Sequence, residues 1–226
     1  MRKNGLLIAI DGTAGTGKSS VGLAVAAKLG YGFLSTGEMY RALAYKVFEQ
    51  KLDPADHDAV LGLAQKLTFT FERQDNGALK MFVDGEFLGA KLHLEEVGSV
   101  ASKVSTNKEA RAVLTDKMRQ VGINGGVVME GRDVGTVVFP DAELKFYLDA
   151  SAEERANRRV KQFEENGQKA DYNAILSMIK ERDYRDSHRA VAPLKPAGDA
   201  MVVDTSNLNM NRVIETVMEK ISQYAA

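Results

Sequence analysis

Gly12-Thr13-Ala14-Gly15-Thr16-Gly17-Lys18-Ser19 fits the pattern G-x-x-x-x-G-K-[ST] at every fixed position. Its setting suits the pattern's mechanism. Leu6 to Ile10 is apolar on both faces, as in a central parallel strand, and from Lys18 the apolar positions Val21, Val25 and Leu29 recur at helical spacing until Gly30. A glycine-rich turn between such a strand and a helix N-terminus lets backbone amides converge on phosphate oxygens, where the helix dipole favours an anion. Gly12 to Ser20 are therefore the expected cradle for ATP. Lys18 would reach the β- and γ-phosphates, and the Ser19 hydroxyl would be a Mg²⁺ ligand. The bland alternative is a glycine-rich turn with an exposed lysine.

The rest of the chain follows a βαβ rhythm with one interruption. Tyr31–Leu34, Val127–Met129, Leu144–Leu148 and Met201–Asp204 read as further short strands. Helices are expected over residues 38–50, 55–67, 94–104, 108–122, 173–187 and from about 205 to the end. Ser151-Ala152-Glu153-Glu154 is a capping box opening another, highly charged helix. Between them, Leu67–Glu72 alternates apolar and polar residues, Asp75-Asn76-Gly77 is a turn, and Leu79–Val83 returns, which predicts an inserted hairpin. The 226 residues suffice for one α/β domain around a five-stranded parallel sheet, with no repeat or linker.

Composition narrows the partners. A net charge of −1 and a pI near 6.3 supply no global attraction for nucleic acid or an anionic membrane, so no polymer or membrane partner is expected and any anion site must be local. Cysteine is absent, which removes disulfides and thiol chemistry. The five apolar residues after Gly5 are too few for a secretory signal, and the expected location is the cytoplasm.

A phosphate loop leaves small-molecule kinase, GTPase and ATPase motor open. The only Asn-Lys pair, Asn107-Lys108, continues as Glu109-Ala110 instead of the guanine-reading N-K-x-D, and the chain is short for a motor. Transfer between two polyanions needs cations at both ends, and four clusters offer them. Thr36 to Arg41 follows the second strand, at the sheet edge where ligands bind in such folds. Glu130-Gly131-Arg132-Asp133 follows another strand, with a carboxylate placed to hold Mg²⁺ or its waters. Arg155, Arg158 and Arg159 share one face of the capped helix, either as a lid over phosphates or as a solvated surface. Arg182, Arg185, Asp186 and Arg189 lie at i, i+3, i+4 and i+7, either as one reading stripe or as a surface Arg182–Asp186 pair. His57, His93 and His188 lack metal-ligand spacing and read as surface residues.

With these residues in hand, the chain closely resembles bacterial-type cytidylate kinases of the nucleoside-monophosphate kinase family over nearly its whole length. The likeness rests on Ile8 through the phosphate loop, Thr36-Gly37-Glu38-Met39-Tyr40-Arg41, Ser102-Lys103-Val104, Gly131-Arg132-Asp133-Val134-Gly135-Thr136-Val137-Val138-Phe139-Pro140, Ser151 to Arg155, and Glu181 to Asp186 continuing to Arg189-Ala190-Val191-Ala192-Pro193-Leu194. The resemblance implies a P-loop NTPase fold with an inserted, nucleotide-binding subdomain containing a small antiparallel sheet (about 36–106) and a short helical lid (about 151–172). The core would comprise about residues 1–35, 107–150 and 190–226. It implies transfer of the ATP γ-phosphoryl group to CMP and dCMP by a monomer with Mg²⁺. Ser102, Arg111 and Asp133 would recognise cytosine, Arg41 and Arg132 would hold the CMP phosphate, Arg182 and Asp186 would contact the sugar, Arg189 would complete the pocket, and Thr36 would also belong to the CMP site. Lys18, Arg132, Arg158 and Arg159 would stabilise the transferring group. UMP or shikimate as acceptor, or a non-catalytic nucleotide-binding regulator, are the alternatives. Three positions depart from the family pattern: Ser35 and Glu130 each stand where Asp is usual, and Thr13 where Pro is common.

Overall fold

In the computed structural model, which describes residues 2–225, strands β1 (Leu7–Gly12), β2 (Gly32–Ser35), β6 (Val127–Glu130), β7 (Leu144–Asp149) and β8 (Met201–Asp204) form one parallel sheet in the order β2-β6-β1-β7-β8. Every residue of β1 is buried, so the central strand is apolar on both faces because helices cover both. One face packs against Val21, Val25 and Ala26 of α1 (Lys18–Leu29) and Val213, Val217 and Ile221 of α8 (Met210–Ala225). The other packs against α2 (Thr36–Glu49) and α5 (Lys108–Gly122), through Met39, Leu43, Leu114 and Met118.

The remaining elements branch from this core. Helix α3 (His57–Lys66) leads into β3 (Phe69–Arg73), β4 (Leu79–Val83) and the two-residue β5 (Glu86–Phe87), an antiparallel sheet that contributes Met81 and Val83 to the second core layer. The expected hairpin is present, with Gly77 at φ 85° in its turn; β5 was too short to leave a sequence signal. Helix α4 (Glu95–Val104) lies along α2. Helices α6 (Ala152–Glu165) and α7 (Tyr172–His188) pack together as a hairpin. Of the expected capping box only the N-cap half forms: the Glu154 amide donates to Ser151 Oγ at 3.1 Å, while the Ser151 amide donates to Ser206 Oγ and the Glu154 carboxylate turns to Arg158. Among the described residues no helix is long and apolar enough to cross a membrane.

Between β6 and β7 the chain makes a five-residue π-helical turn, Val134–Val138, that periodicity did not reveal. The turn is too short for a helical pattern, and its first two amides, of Val134 and Gly135, donate to the Asp11 side chain of β1.

Helical bounds agree with the sequence expectation to within about three residues, save at the last helix. That helix starts at Met210, because residues 205–209 turn around Thr205, which bonds to Asp149.

Gly12 closes β1 at φ 146°, where a Cβ would stand 2.0 Å from the Leu148 carbonyl oxygen. That atom belongs to the neighbouring backbone and cannot move aside. Gly12→Ala is expected to lower the free energy of unfolding by about 3 kcal/mol, measured by urea denaturation.

Candidate active site

The carboxyl ends of β1, β2 and β6 meet at one edge of the sheet and form the floor of a cleft of about 1090 Å³. It is lined by Ala14 to Ser20 on one side, by Glu38, Arg41 and His93 on another, and by Glu130, Arg132, Arg158, Arg159 and Arg182 around the rest. Arginines from four separate stretches thus converge where the sequence placed only isolated clusters.

The phosphate-loop geometry follows from its glycines. Gly17, at φ 88°, occupies the N-cap of α1 without any side-chain cap, and the first turn carries no acid. The leading amides of α1 are left for an anion. Ala14 to Ser20 line the cleft, whereas Gly12 and Thr13 lie behind it. Lys18 is buried, with Nζ donating to the Thr13 carbonyl at 2.5 Å and lying 3.4 Å from Thr16 Oγ1. Burial, then the neighbouring Arg132, push the Lys18 ammonium down to about 7, against pulls in the other direction from Glu130 and Asp11. Among the described residues no carboxylate forms an ion pair with Lys18, and a phosphate dianion would supply that direct partner.

Glu130 closes β6, is buried, and accepts both the Ser19 hydroxyl (3.1 Å) and the Ser35 hydroxyl (2.6 Å) at the same oxygen, Oε1. Two of the three positions that depart from the expected pattern, Ser35 and Glu130, are thus in contact. Ser35 is the N-cap of α2 and Glu38 stands three residues on, a capping-box spacing. Yet Ser35 makes no cap bond; its hydroxyl serves Glu130 instead, and Glu38 lines the cleft. Burial raises the Glu38 carboxyl above its usual range. The donor set of Ser19, Glu130 and Ser35 is all oxygen, which suits Mg²⁺, and among the described residues none donates to Oε2 of Glu130.

Arg132 projects into the cleft with Nε 3.0 Å from Asp186 Oδ2. Behind it, Asp133 sits between two arginines, 2.5 Å from Arg111 Nη2 and 3.5 Å from Arg189 Nη2, and Arg111 lies over the Tyr40 ring at 5.0 Å. Arg41 donates to the Leu92 carbonyl at 2.9 Å. Thr36 is buried and donates to the Glu130 carbonyl at 3.0 Å, tying α2 to β6. Ser102 is exposed on α4; its carbonyl accepts from Ser105, whose own carbonyl accepts from Arg111 at 3.1 Å.

Two helical stripes divide in the structure. Arg158 and Arg159 line the cleft, but Arg155 is buried beneath the hairpin, held bidentately by Asp183 of α7 at 2.5 and 3.0 Å and donating to the phosphate-loop carbonyl of Ala14 at 3.1 Å. The expected common face is therefore corrected: a carboxylate across the hairpin pulls the first arginine inward. Arg158 pairs with Glu154, four residues earlier on the same helix, at 3.0 Å. The second stripe also stops short, because α7 ends at His188 and Arg189, at ψ 142°, turns away to Asp133. Within it Arg182 and Asp186 stand 4.0 Å apart, farther than Asp186 is from Arg132. Asp183 and Asp11 are functional positions that periodicity did not reveal, whereas His93 is exposed, as expected, and lines the cleft. Asp11 had one visible signal, a lone carboxylate ending a fully apolar strand.

A parallel sheet carrying this loop at its carboxyl edge, faced by converging arginines, defines a P-loop nucleotide-binding protein of the phosphotransferase type. Comparison with known proteins gives the particular family. The model for cytidylate kinase matches residues 8–223. A cytidylate kinase from Klebsiella pneumoniae (strain 342) is 43% identical over 225 residues, covering 100% of this chain and 97% of that protein. Another, from Marinomonas sp. (strain MWYL1), is 39% identical over 223 residues, covering 99% and 98%. The chain belongs to the cytidylate kinase family. In fold alone it is similar to an uncharacterized protein from Eubacterium ventriosum, at 12% identity, a TM-score of 0.50 and 96% and 99% coverage.

The buried Lys18 yields a pH prediction. Its folded value of about 7 lies below the ordinary lysine value of 10.5, so between these limits the unfolded chain binds more protons and stability rises with pH. Lys18→Met removes the group. In urea titrations, wild type should gain roughly 2–4 kcal/mol relative to Lys18→Met between pH 7 and pH 10.

Proposed function

We propose that the protein transfers the γ-phosphoryl group of ATP to CMP and dCMP, giving ADP and CDP or dCDP. The observation that carries this reading is the convergence of Lys18, Arg132, Arg158, Arg159 and Arg182 on one cleft, opposite a phosphate cradle, in a chain of this family. Such an arrangement suits in-line transfer between two nucleotides, in which the acceptor phosphate oxygen attacks the γ-phosphorus and ADP leaves. No protein nucleophile takes part.

On this reading the amides from Ala14 to Ser20 and Lys18 hold the β- and γ-phosphates, and Ser19 with Glu130 holds Mg²⁺ or its waters. Bound there, Mg²⁺ neutralises charge on the β- and γ-oxygens. Arg41 and Arg132 present the CMP phosphate. Asp133, oriented by Arg111 and Arg189, accepts from the cytosine amino group, with Ser102 beside it. Arg182 and Asp186 face the sugar, and Thr36 keeps Arg41's helix in register with β6. Arg158 and Arg159, on the helix that covers the cleft, meet the transferring group as water is excluded.

Residues 36–106 are assigned to the acceptor-binding subdomain, about 151–172 to the lid, and about 1–35, 107–150 and 190–226 to the core. A monomer acting in the cytoplasm on free nucleotides, in pyrimidine metabolism, completes the reading.

Coupled ADP-release assays across CMP, dCMP, UMP, AMP and shikimate test the substrate directly, with turnover expected for CMP and dCMP. Arg132→Ala should lower kcat/KM for CMP by roughly 100-fold or more. Near-normal turnover by that variant would remove Arg132 from its role.

A further inference from the structure

Asp11 is the last side chain of β1 before the phosphate loop, and it is 4% exposed. Its two oxygens accept one backbone amide each, Val134 N to Oδ1 at 2.8 Å and Gly135 N to Oδ2 at 2.7 Å. One residue earlier on the same strand, the Ile10 carbonyl accepts the Gly131 amide at 3.0 Å. The dipeptide Arg132-Asp133 is thereby bracketed on both sides by bonds to consecutive residues of β1. Arg132 reaches the cleft and Asp133 holds Arg111 and Arg189.

Asp11 does not line the cleft, and with both oxygens engaged it is placed neither to ligate a metal nor to move a proton there. As plain fold reinforcement a carboxylate is a poor choice. Burial raises its pKa to about 6 despite the two amide bonds, so carrying the charge at neutral pH costs stability that a neutral isostere would not. What the carboxylate does provide is two separate acceptor oxygens, one for each amide, where Asn offers one oxygen and an NH₂ donor. The seat is also close-fitting: a Cβ on Gly135 would meet Asp11 Oδ2 at 3.4 Å and the Lys145 side chain at 3.2 Å.

We propose that Asp11 is a positioning residue for the acceptor site: by holding the amides of Val134 and Gly135 it sets Arg132 and Asp133, and so ties the acceptor grip to the strand that carries the phosphate loop. This rests on the reading that Arg132 and Asp133 contact CMP.

The experiment compares wild type, Asp11→Asn, Gly135→Ala and Arg132→Ala by urea denaturation, by KM for CMP and for ATP, and by calorimetric CMP binding. Asp11→Asn keeps one acceptor and places an NH₂ against the other amide. It is expected to unfold at an unchanged or higher urea concentration and to keep its ATP KM within about two-fold, while CMP KM and Kd rise about ten-fold. Gly135→Ala perturbs the same contact from the other partner and should weaken CMP selectively; it decides the matter if Asp11→Asn does not fold. An unchanged CMP KM in both variants, or a parallel loss of stability and of both substrates, overturns the positioning role. If Arg132→Ala also leaves CMP binding unchanged, the acceptor reading itself fails, a result distinct from failure of Asp11 alone.

Discussion

Lys18 is buried with its ammonium on the Thr13 carbonyl of its own loop, close enough to Arg132 that burial and repulsion together bring its pKa down to about 7. A folded protein that gathers cations this way carries an electrostatic cost, and much of the site offsets it. Glu130 and Asp11 supply negative charge beside Lys18, Asp186 takes Arg132, and Asp133 takes Arg111 and Arg189. These pairs contribute little net stability, since desolvation consumes most of the Coulombic gain. Their effect is on geometry: each guanidinium is held in one place before a phosphate arrives, so little reorganisation is left for binding.

The same logic explains where the helical hairpin is attached. Arg155 joins Asp183 across the hairpin and, from the same guanidinium, donates to the Ala14 carbonyl of the phosphate loop. Helices α6 and α7 are thus anchored at the donor cradle, and Arg158 and Arg159, one turn further on, lie over the cleft. At the other end of the cleft, Thr36 and Ser35 couple α2 to Glu130 through its backbone and its side chain respectively. The carboxylate that serves Ser19 therefore also registers the helix carrying Arg41.

Much of the framework was legible because local chemistry dictates it. Lys108–Gly122 and Met201–Asp204 coincide with the expected helix and strand, since amphipathic spacing and a short apolar run bounded by polar turns are local properties. The phosphate loop was legible for a stronger reason: a backbone that must present several amides to one anion restricts its residues at every step. Less was legible wherever a side chain had competing partners. Ser35 and Glu38 have a capping-box spacing, yet the serine turns to Glu130. Arg155 and Arg158 share a periodicity, yet one is buried and the other lines the cleft.

The amino-acid sequence alone determined the order of elements, the nucleotide cradle and which residues could carry charge to an acceptor, because each depends on spacing along a few turns of chain. Tertiary structure decided which of those charges meet. Arg132 with Asp186, Asp133 between Arg111 and Arg189, and Asp11 with the amides of Val134 and Gly135 are separated by 54, 22, 56, 123 and 124 positions. Contacts at such separations depend on how the sheet orders its strands and on which partners burial leaves within reach, and no local pattern encodes them.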